Sequence, residues 1–245
     1  MNPIVLIPAR MAATRLPGKP LADIEGVPMI VRVLRQAQAA EVGPVAVAAG
    51  DAEIVAAVEA AGGRAVLTDP DLPSGSDRIL RALDVIDPEG RHDVVVNLQG
   101  DIPFVAPQVV RDCVDLLGCE PSCDISTIVV GESDPAERAN PDIPKAVLAM
   151  APESRSGRAL YFTRSVLYGD QPVWLHHGVY GYRREALRRF TAAPPSPLEI
   201  RERLEQLRAL EMGMTIWAAV IDSAPISVDN PGDLERARAF ARGLK

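Results

Sequence analysis

The run Ile4-Val5-Leu6-Ile7-Pro8-Ala9-Arg10-Met11-Ala12-Ala13-Thr14-Arg15-Leu16-Pro17-Gly18-Lys19-Pro20 decides how the rest of the chain is read. Its first four residues are apolar without polar alternation, the pattern of a strand buried on both faces. A loop of small and basic residues follows directly. In an open α/β sheet, the loop leaving a strand's carboxyl end lies in the ligand crevice. Small residues let the backbone approach a ligand, and its N–H groups can serve as anion donors. Arg10, Arg15 and Lys19 add three cations within ten residues. That set suits a triphosphate: arginine offers forked oxygen contacts and lysine a mobile point charge. A solvated basic turn is the plainer alternative, but a buried strand feeds straight into this loop. The spacing matches neither GxxxxGK[ST] nor GxGxxG.

Working outward, Pro28 sits in the first turn of a helix striped by Met29, Ile30, Val33, Leu34 and Ala37. A second strand covers 45–49. Asp51 stands where an N-cap belongs, ahead of Ile54, Val55, Val58 and Ala61, and Gly62-Gly63 ends that helix. A third strand at 65–67, a helix from near Ser76, a fourth strand at 94–98 and a helix after Pro107 continue the alternation. Such alternation implies right-handed βαβ units and a parallel sheet covered on both faces. The second half is less regular. Strands are expected at 125–130, 146–150, 179–182 and 215–220, with helices at 183–190, 201–211 and 231–241. With no internal repeat and no clean linker, the expectation is one α/β domain over 1–245, a Rossmann-like mixed, mostly parallel sheet with helices on both faces.

The whole-chain numbers narrow the function. A chain of 245 residues can bury roughly 70–75% of its unfolded surface. Its 47% hydrophobic and 24% charged shares exclude collagen-like, coiled-coil and disordered classes. A formal net charge of −7 argues against nucleic-acid or anionic-membrane partners, so an anionic substrate needs a local nest of cations. No apolar run approaches the ~20 residues of a membrane span. The start, Met1-Asn2-Pro3-Ile4, shows no export signal, and a cytoplasmic location is expected. Cys113, Cys119 and Cys123 lack zinc spacing and read as reduced, half-buried thiols. The 22 prolines cluster at element edges and suggest shaped loops.

Two further segments carry chemistry. Asn97-Leu98-Gln99-Gly100-Asp101-Ile102-Pro103 puts Asp101 just past a strand, at the sheet edge where the cationic loop begins. Mg²⁺ takes one or two carboxylates plus phosphate oxygens, and Asp101 is the right residue type for it. In Ser227-Val228-Asp229-Asn230-Pro231-Gly232-Asp233-Leu234, Pro231 suits the first helical position and Asn230 the cap. Asp229 is left without a capping task and is a candidate second carboxylate. Spacing alone does not make the two acids meet.

Together with Tyr161-Phe162-Thr163-Arg164, His176-His177-Gly178-Val179-Tyr180-Gly181-Tyr182, Pro195-Ser196-Pro197-Leu198-Glu199 and Leu204-Glu205-Gln206-Leu207-Arg208, these segments resemble the 3-deoxy-manno-octulosonate cytidylyltransferase (CMP-Kdo synthetase) family, nearly end to end and in order. The resemblance implies a nucleotide-diphospho-sugar transferase type of fold, with a nucleotide-binding half over about 1–110 and a sugar-binding and dimerisation half over about 120–230. It implies transfer of CMP from CTP to Kdo for lipopolysaccharide synthesis, with Mg²⁺, by a cytoplasmic homodimer.

By position, Ala9, Arg10, Arg15 and Lys19 would hold the triphosphate, with Ser74, Gly75 and Arg78 beside the nucleotide. Gln99 would bridge nucleotide and sugar, and Asp101 and Asp229 would ligate Mg²⁺. Arg164, His176, Tyr180, Glu205 and Gln206 would surround the sugar acid, with Lys145 as a further cation. Glu205 and Gln206 fall off the apolar stripe of Leu204 and Leu207 and, by pattern alone, would face solvent. The chain departs from the family pattern at Val47-Ala48-Ala49-Gly50-Asp51, which lacks a hydroxyl and a carboxylate. It departs again at Ile102, where an acid is common, and in a shorter 165–175 stretch. A cytidylyltransferase for another sugar acid (8-amino-Kdo or a sialic acid) is the nearest alternative, and a non-catalytic nucleotide-sugar binding protein the next. A metal-dependent glycosyltransferase is weaker, since no Asp-x-Asp follows a strand.

Overall fold

The computed structural model describes residues 1–12 and 15–244; Ala13 and Thr14 of the cationic loop, and Lys245, lie outside the described residues. In chain order the elements are β1 (Pro3–Ala9), a 3₁₀ turn (Lys19–Leu21), β2 (Asp23–Ile24), β3 (Val27–Pro28), α1 (Met29–Ala39), β4 (Val45–Ala49), α2 (Ala52–Ala60), β5 (Ala65–Leu67), α3 (Gly75–Ile86), β6 (Val94–Asn97) and α4 (Pro107–Cys119). They continue with β7 (Ile125–Glu132), α5 (Pro135–Ala139), β8 (Lys145–Ala149), β9 (Ser156–Thr163), β10 (Val173–Arg183), α6 (Arg184–Ala192), α7 (Pro197–Glu202), α8 (Gln206–Glu211), β11 (Ile216–Ile221) and α9 (Pro231–Gly243). Two compact units divide the chain, Met1–Arg111 with Pro225–Lys245, and Asp112–Ala224.

The first unit holds four parallel strands in the order β5-β4-β1-β6. Val5 pairs with Val45 on one side and Val96 on the other, so β1 is central. Residues Ile4 to Ile7 are at most 1% exposed, as an uninterrupted apolar run requires. The strand continues through Pro8 to Ala9, two residues beyond the apolar run Ile4–Ile7. Pro28 lies just before α1 as its N-cap residue, not in its first turn, because residues 23–28 form the small β2–β3 hairpin. Beside that hairpin, Ile24 and Met29 pack with Val228, Leu234, Ala237 and Ala241, the apolar face of α9 and its approach.

The second unit holds β10-β7-β11-β9-β8, with β8 also pairing to β10. Among the described pairs of this unit β7 and β11 run parallel and the others antiparallel, so its strands are mixed where those of the first unit are parallel. Three features here lie beyond the expected elements. β9 was not expected, because its inward positions include the small Gly157 and Ala159 while Leu160 faces out. α5 is too short for a periodic signal. β10 begins at Val173, six residues before the expected start, and carries a bulge between His177 and Tyr180. The single helix expected at 201–211 is two. α7 begins at Pro197 with a capping box between Ser196 and Glu199, and Arg203 at φ 56° interrupts the helix before α8. Cys113 and Cys123 are buried and Cys119 exposed, all three free. Burial pushes the Cys123 thiol up to about 12 and raises that of Cys113 further. No helix among the described residues is long and apolar enough to cross a membrane.

Candidate active site

Parallel pairing of β1 with β6, Leu6 against Asn97, brings the loops after both strands to one sheet edge. The second loop passes so close over the first strand that a Cβ on Gly100 would lie 2.9 Å from the Pro8 carbonyl oxygen. Only glycine permits that approach, and it carries Asp101 to the mouth of the cationic loop. From the other direction, the 3₁₀ turn lifts Lys19 toward the same point. Lys19 Nζ donates to Asp101 Oδ2 at 2.8 Å and to Asp229 Oδ1 at 3.0 Å. Arg15 reaches the same Asp229 oxygen at 3.1 Å.

Asp229 arrives from the far end of the sequence for two local reasons. Val228 is buried in the α9 core, and its N–H donates to the Asp101 carbonyl at 2.9 Å. Asn230 then caps α9 by accepting from Asp233 N–H, while the Asp233 carboxylate accepts from the N–H of Asn230 and of Asp229. The capping work is complete without the Asp229 side chain. Burial acts against both charged partners of the cluster, yet their attraction prevails. The pKa of Lys19 is raised by Asp101 and Asp229, and that of Asp229 is lowered by Lys19 and Arg15.

These groups border a cavity of about 420 Å³ lined by the first unit alone. Ala9, Arg10, Arg15, Lys19, Ser74, Gly75, Arg78, Gln99, Asp101 and Asp229 all line it. Pro8, Ala12, Leu16, Pro20, Leu72 and Gly100 line it as well without having been site candidates; none carries a chemical signature. Several expected contact residues have structural work as well. The Ser74 hydroxyl caps α3 by accepting from Asp77 N–H and donates to the Asp77 carboxylate. Gln99 Nε2 donates to Asn97 Oδ1. Arg78 is buried, donating to Thr68 Oγ1 and to the carbonyls of Asp69 and Pro70; burial, helped by nearby Arg10, lowers its pKa. A Cβ at Gly50 would come within 2.8 Å of the Arg78 guanidinium, so a side chain at that position would press on the arginine. Asp51 occupies the N-cap position of α2 but makes no capping bond. Its Oδ2 accepts from the Met11 N–H at 2.7 Å, tying the cationic loop to the end of β4. The carboxylate is engaged by a loop amide rather than by the first turn of its own helix.

Of the residues expected around a sugar acid, Gln99 lies in the first unit, and Arg164, His176, Tyr180, Glu205 and Gln206, with Lys145, lie in the second. The His176 ring packs edge-on to Phe162, with centroids 4.9 Å apart, and lies 5.5 Å from Tyr180. Thr127 donates its hydroxyl to the Val179 carbonyl, leaving His176 Nε2 as donor to Thr127 Oγ1 at 2.9 Å. Burial depresses His176 to about 3 and His177 to about 4, so both rings are neutral. Tyr180 is raised by burial and by the charge of nearby Tyr182 and Glu205. Lys145 is fully buried in β8 and donates to the Asn140 carbonyl; burial and the neighbouring Arg164 charge lower its pKa. Arg164 donates to the carbonyls of Pro141, Asp142, Glu202 and Arg203. Glu205 accepts from Arg208. Gln206, which the helical pattern places toward solvent, is 6% exposed, and its Nε2 has no hydrogen-bond partner among the described residues. The break at Arg203 restarts the helix and turns that face inward.

Asp101 and Asp229 offer carboxylate oxygens, the donor type Mg²⁺ takes, and they converge on one point. No group of three or more His, Cys, Asp or Glu that could hold a metal occurs among the described residues, so substrate oxygens would have to complete the shell.

A family model described as "Cytidylyltransferase" matches residues 4–216. The 3-deoxy-manno-octulosonate cytidylyltransferase of Parvibaculum lavamentivorans is 57% identical over 239 residues, covering 97% of this chain and 92% of the relative. That of Methylobacterium radiotolerans is 56% identical over 245 residues, covering 100% and 98%. Among solved structures, a CMP:2-keto-3-deoxy-manno-octonic acid synthetase complexed with CTP superposes with a TM-score of 0.91 at 33% identity, covering all of both chains. A nucleotidyl transferase from Methanothermobacter thermautotroptrophicus, 16% identical with a TM-score of 0.66, shares the fold. Matching over essentially its whole length, the chain belongs to the 3-deoxy-manno-octulosonate cytidylyltransferase family.

Proposed function

We propose that this chain transfers CMP from CTP to the anomeric hydroxyl of 3-deoxy-manno-octulosonate. The sugar hydroxyl gives up its proton to solvent and its oxygen forms a bond to the α-phosphorus, the bond from that phosphorus to its oxygen bridging the β-phosphorus breaks, and pyrophosphate leaves. The observation that carries this reading is the meeting of Lys19, Asp101 and Asp229 under a cationic loop in one cavity. The titratable residues lining that cavity are arginines, one lysine and two acids, with no histidine or cysteine. Such a set suits chemistry governed by positioning and charge neutralisation. Arg10, Arg15 and Lys19 would bind the triphosphate, Arg15 and Lys19 stabilising charge that builds on the departing pyrophosphate. Mg²⁺ held by Asp101 and Asp229 would polarise the α-phosphate and neutralise phosphate charge. In the second unit, Arg164 and Lys145 supply positive charge for the sugar carboxylate. Gln206 offers an unspent amide donor, and Tyr180 and His176 add polar atoms on an apolar wall. The family resemblance also supports action as a cytoplasmic homodimer in lipopolysaccharide synthesis.

The test is pyrophosphate release by the purified chain with Mg²⁺ and Kdo, comparing CTP with ATP, GTP and UTP. A panel of sugar acids including 8-amino-Kdo and a sialic acid would follow. CTP and Kdo should give the highest kcat/KM. Absence of pyrophosphate with that pair would overturn the assignment, and a preference for another sugar acid would replace the acceptor.

A further inference from the structure

Lys19 sits where a triphosphate-binding lysine has no need to be. Its ammonium contacts Asp101 Oδ2 and Asp229 Oδ1 at once, and its side chain is only 15% exposed. Those carboxylates are the pair assigned above to a divalent cation. An ammonium seated between two carboxylate oxygens and a metal ion bonded to the same oxygens exclude one another, by volume and by charge. Arg15 contacts one of these oxygens too, but its side chain is 70% exposed and its interaction correspondingly screened. The residue type is informative as well. Only three of the chain's 26 basic residues are lysines, at 19, 145 and 245. A compact ammonium on a flexible four-carbon stem can move between anions in a way a forked guanidinium does not.

We propose that Lys19 is the resident counter-ion of the Asp101–Asp229 pair and a positioning residue that sets the order of binding. In the free protein it holds the two acids together and keeps divalent cations off them. A nucleotide triphosphate, read in the same cavity through Arg10 and Arg15, offers the ammonium another anion. Lys19 then turns to the phosphates and the carboxylates become available. Nucleotide therefore enters before or with the metal, and the metal alone binds weakly. This inference rests on the reading of Asp101 and Asp229 as metal ligands, and its test separates the two.

Mn²⁺ binding is measured by the loss of its free electron-paramagnetic-resonance signal, without nucleotide, for the full chain and for Lys19→Met and Lys19→Arg. Removing the internal cation makes every molecule competent, so the apparent Kd of Lys19→Met should tighten about tenfold or more. Lys19→Arg, which retains a cation, should stay near the unsubstituted chain. Equal Mn²⁺ affinity for Lys19→Met and the unsubstituted chain overturns the counter-ion role while leaving the two acids as metal ligands. If neither form binds Mn²⁺, and the unsubstituted chain with CTP removes no more free Mn²⁺ than CTP alone does, the metal reading falls too. Lys19→Met leaves two acids facing each other and costs stability, so a second measurement uses the unsubstituted chain. With three lysines, the ¹⁵N spectrum of the ammonium groups is simple, and Lys19→Arg assigns the Lys19 signal. That signal should hold under millimolar Mg²⁺ alone and shift when CTP is added. The same shift with Mg²⁺ alone overturns the proposal.

Discussion

At the scale of single residues, the candidate site is a charge balance with one ammonium held between two acids. Asp101 is 28% exposed and Asp229 38%, sheltered enough to act strongly yet open to a ligand. Asp101→Ala removes one of the two carboxylates and leaves the Val228-to-Asp101 backbone bond in place. Its kcat should therefore fall by about two orders of magnitude or more with an unchanged circular-dichroism spectrum. Near-normal turnover under saturating Mg²⁺ would remove Asp101 from the mechanism. Residue type and position made Lys19, Arg15 and both acids candidates, and the fold brings the four into contact. They were not enough for Asp51, whose carboxylate reads as a cap until the fold brings the Met11 amide to it.

Elements place these residues, and α9 does the most. Its N-cap was legible from Asn230 and Pro231, because capping is local chemistry that needs no tertiary partner, and the structure adds the reciprocal Asp233 contact that makes it a capping box. Asn230→Ala should cost about 1 kcal/mol of unfolding free energy, as cap deletions do. Because the box also anchors the Asp229 amide, the same variant should lower kcat, measurable as a kinetic loss at temperatures where the protein is fully folded. If stability falls and kcat does not, the box serves the helix only. The second unit's elements were harder to read for the same reason in reverse. β9 shows its inward face through glycine and alanine, and β10 hides its alternation behind two histidines and a bulge. What makes them strands is their partners, not their own pattern.

For the whole molecule, the buried histidines tie stability to pH. His176 and His177 titrate near 3 and 4 when folded, against 6.5 for a free imidazole. Both shifts are downward, so between about pH 6.5 and 4 the unfolded chain takes up protons that the folded chain refuses. Stability should fall with falling pH across that window, by up to about 1.4 kcal/mol per pH unit for each histidine. Urea denaturation from pH 7 to 5 measures the slope, and His177→Leu should roughly halve it; an unaltered slope would place the titration elsewhere. The amino-acid sequence by itself determined the parallel first half, the cationic loop and the Asn230 cap of α9. Each depends on periodicity, residue type or contacts a few positions apart. Tertiary structure alone decided that residues 101 and 229 share one ammonium, that Gln206 points inward, and that Arg78 and Asp51 brace loops. Those outcomes depend on which backbone groups and charges long-range packing brings within hydrogen-bond reach, and sequence spacing carries no record of that distance.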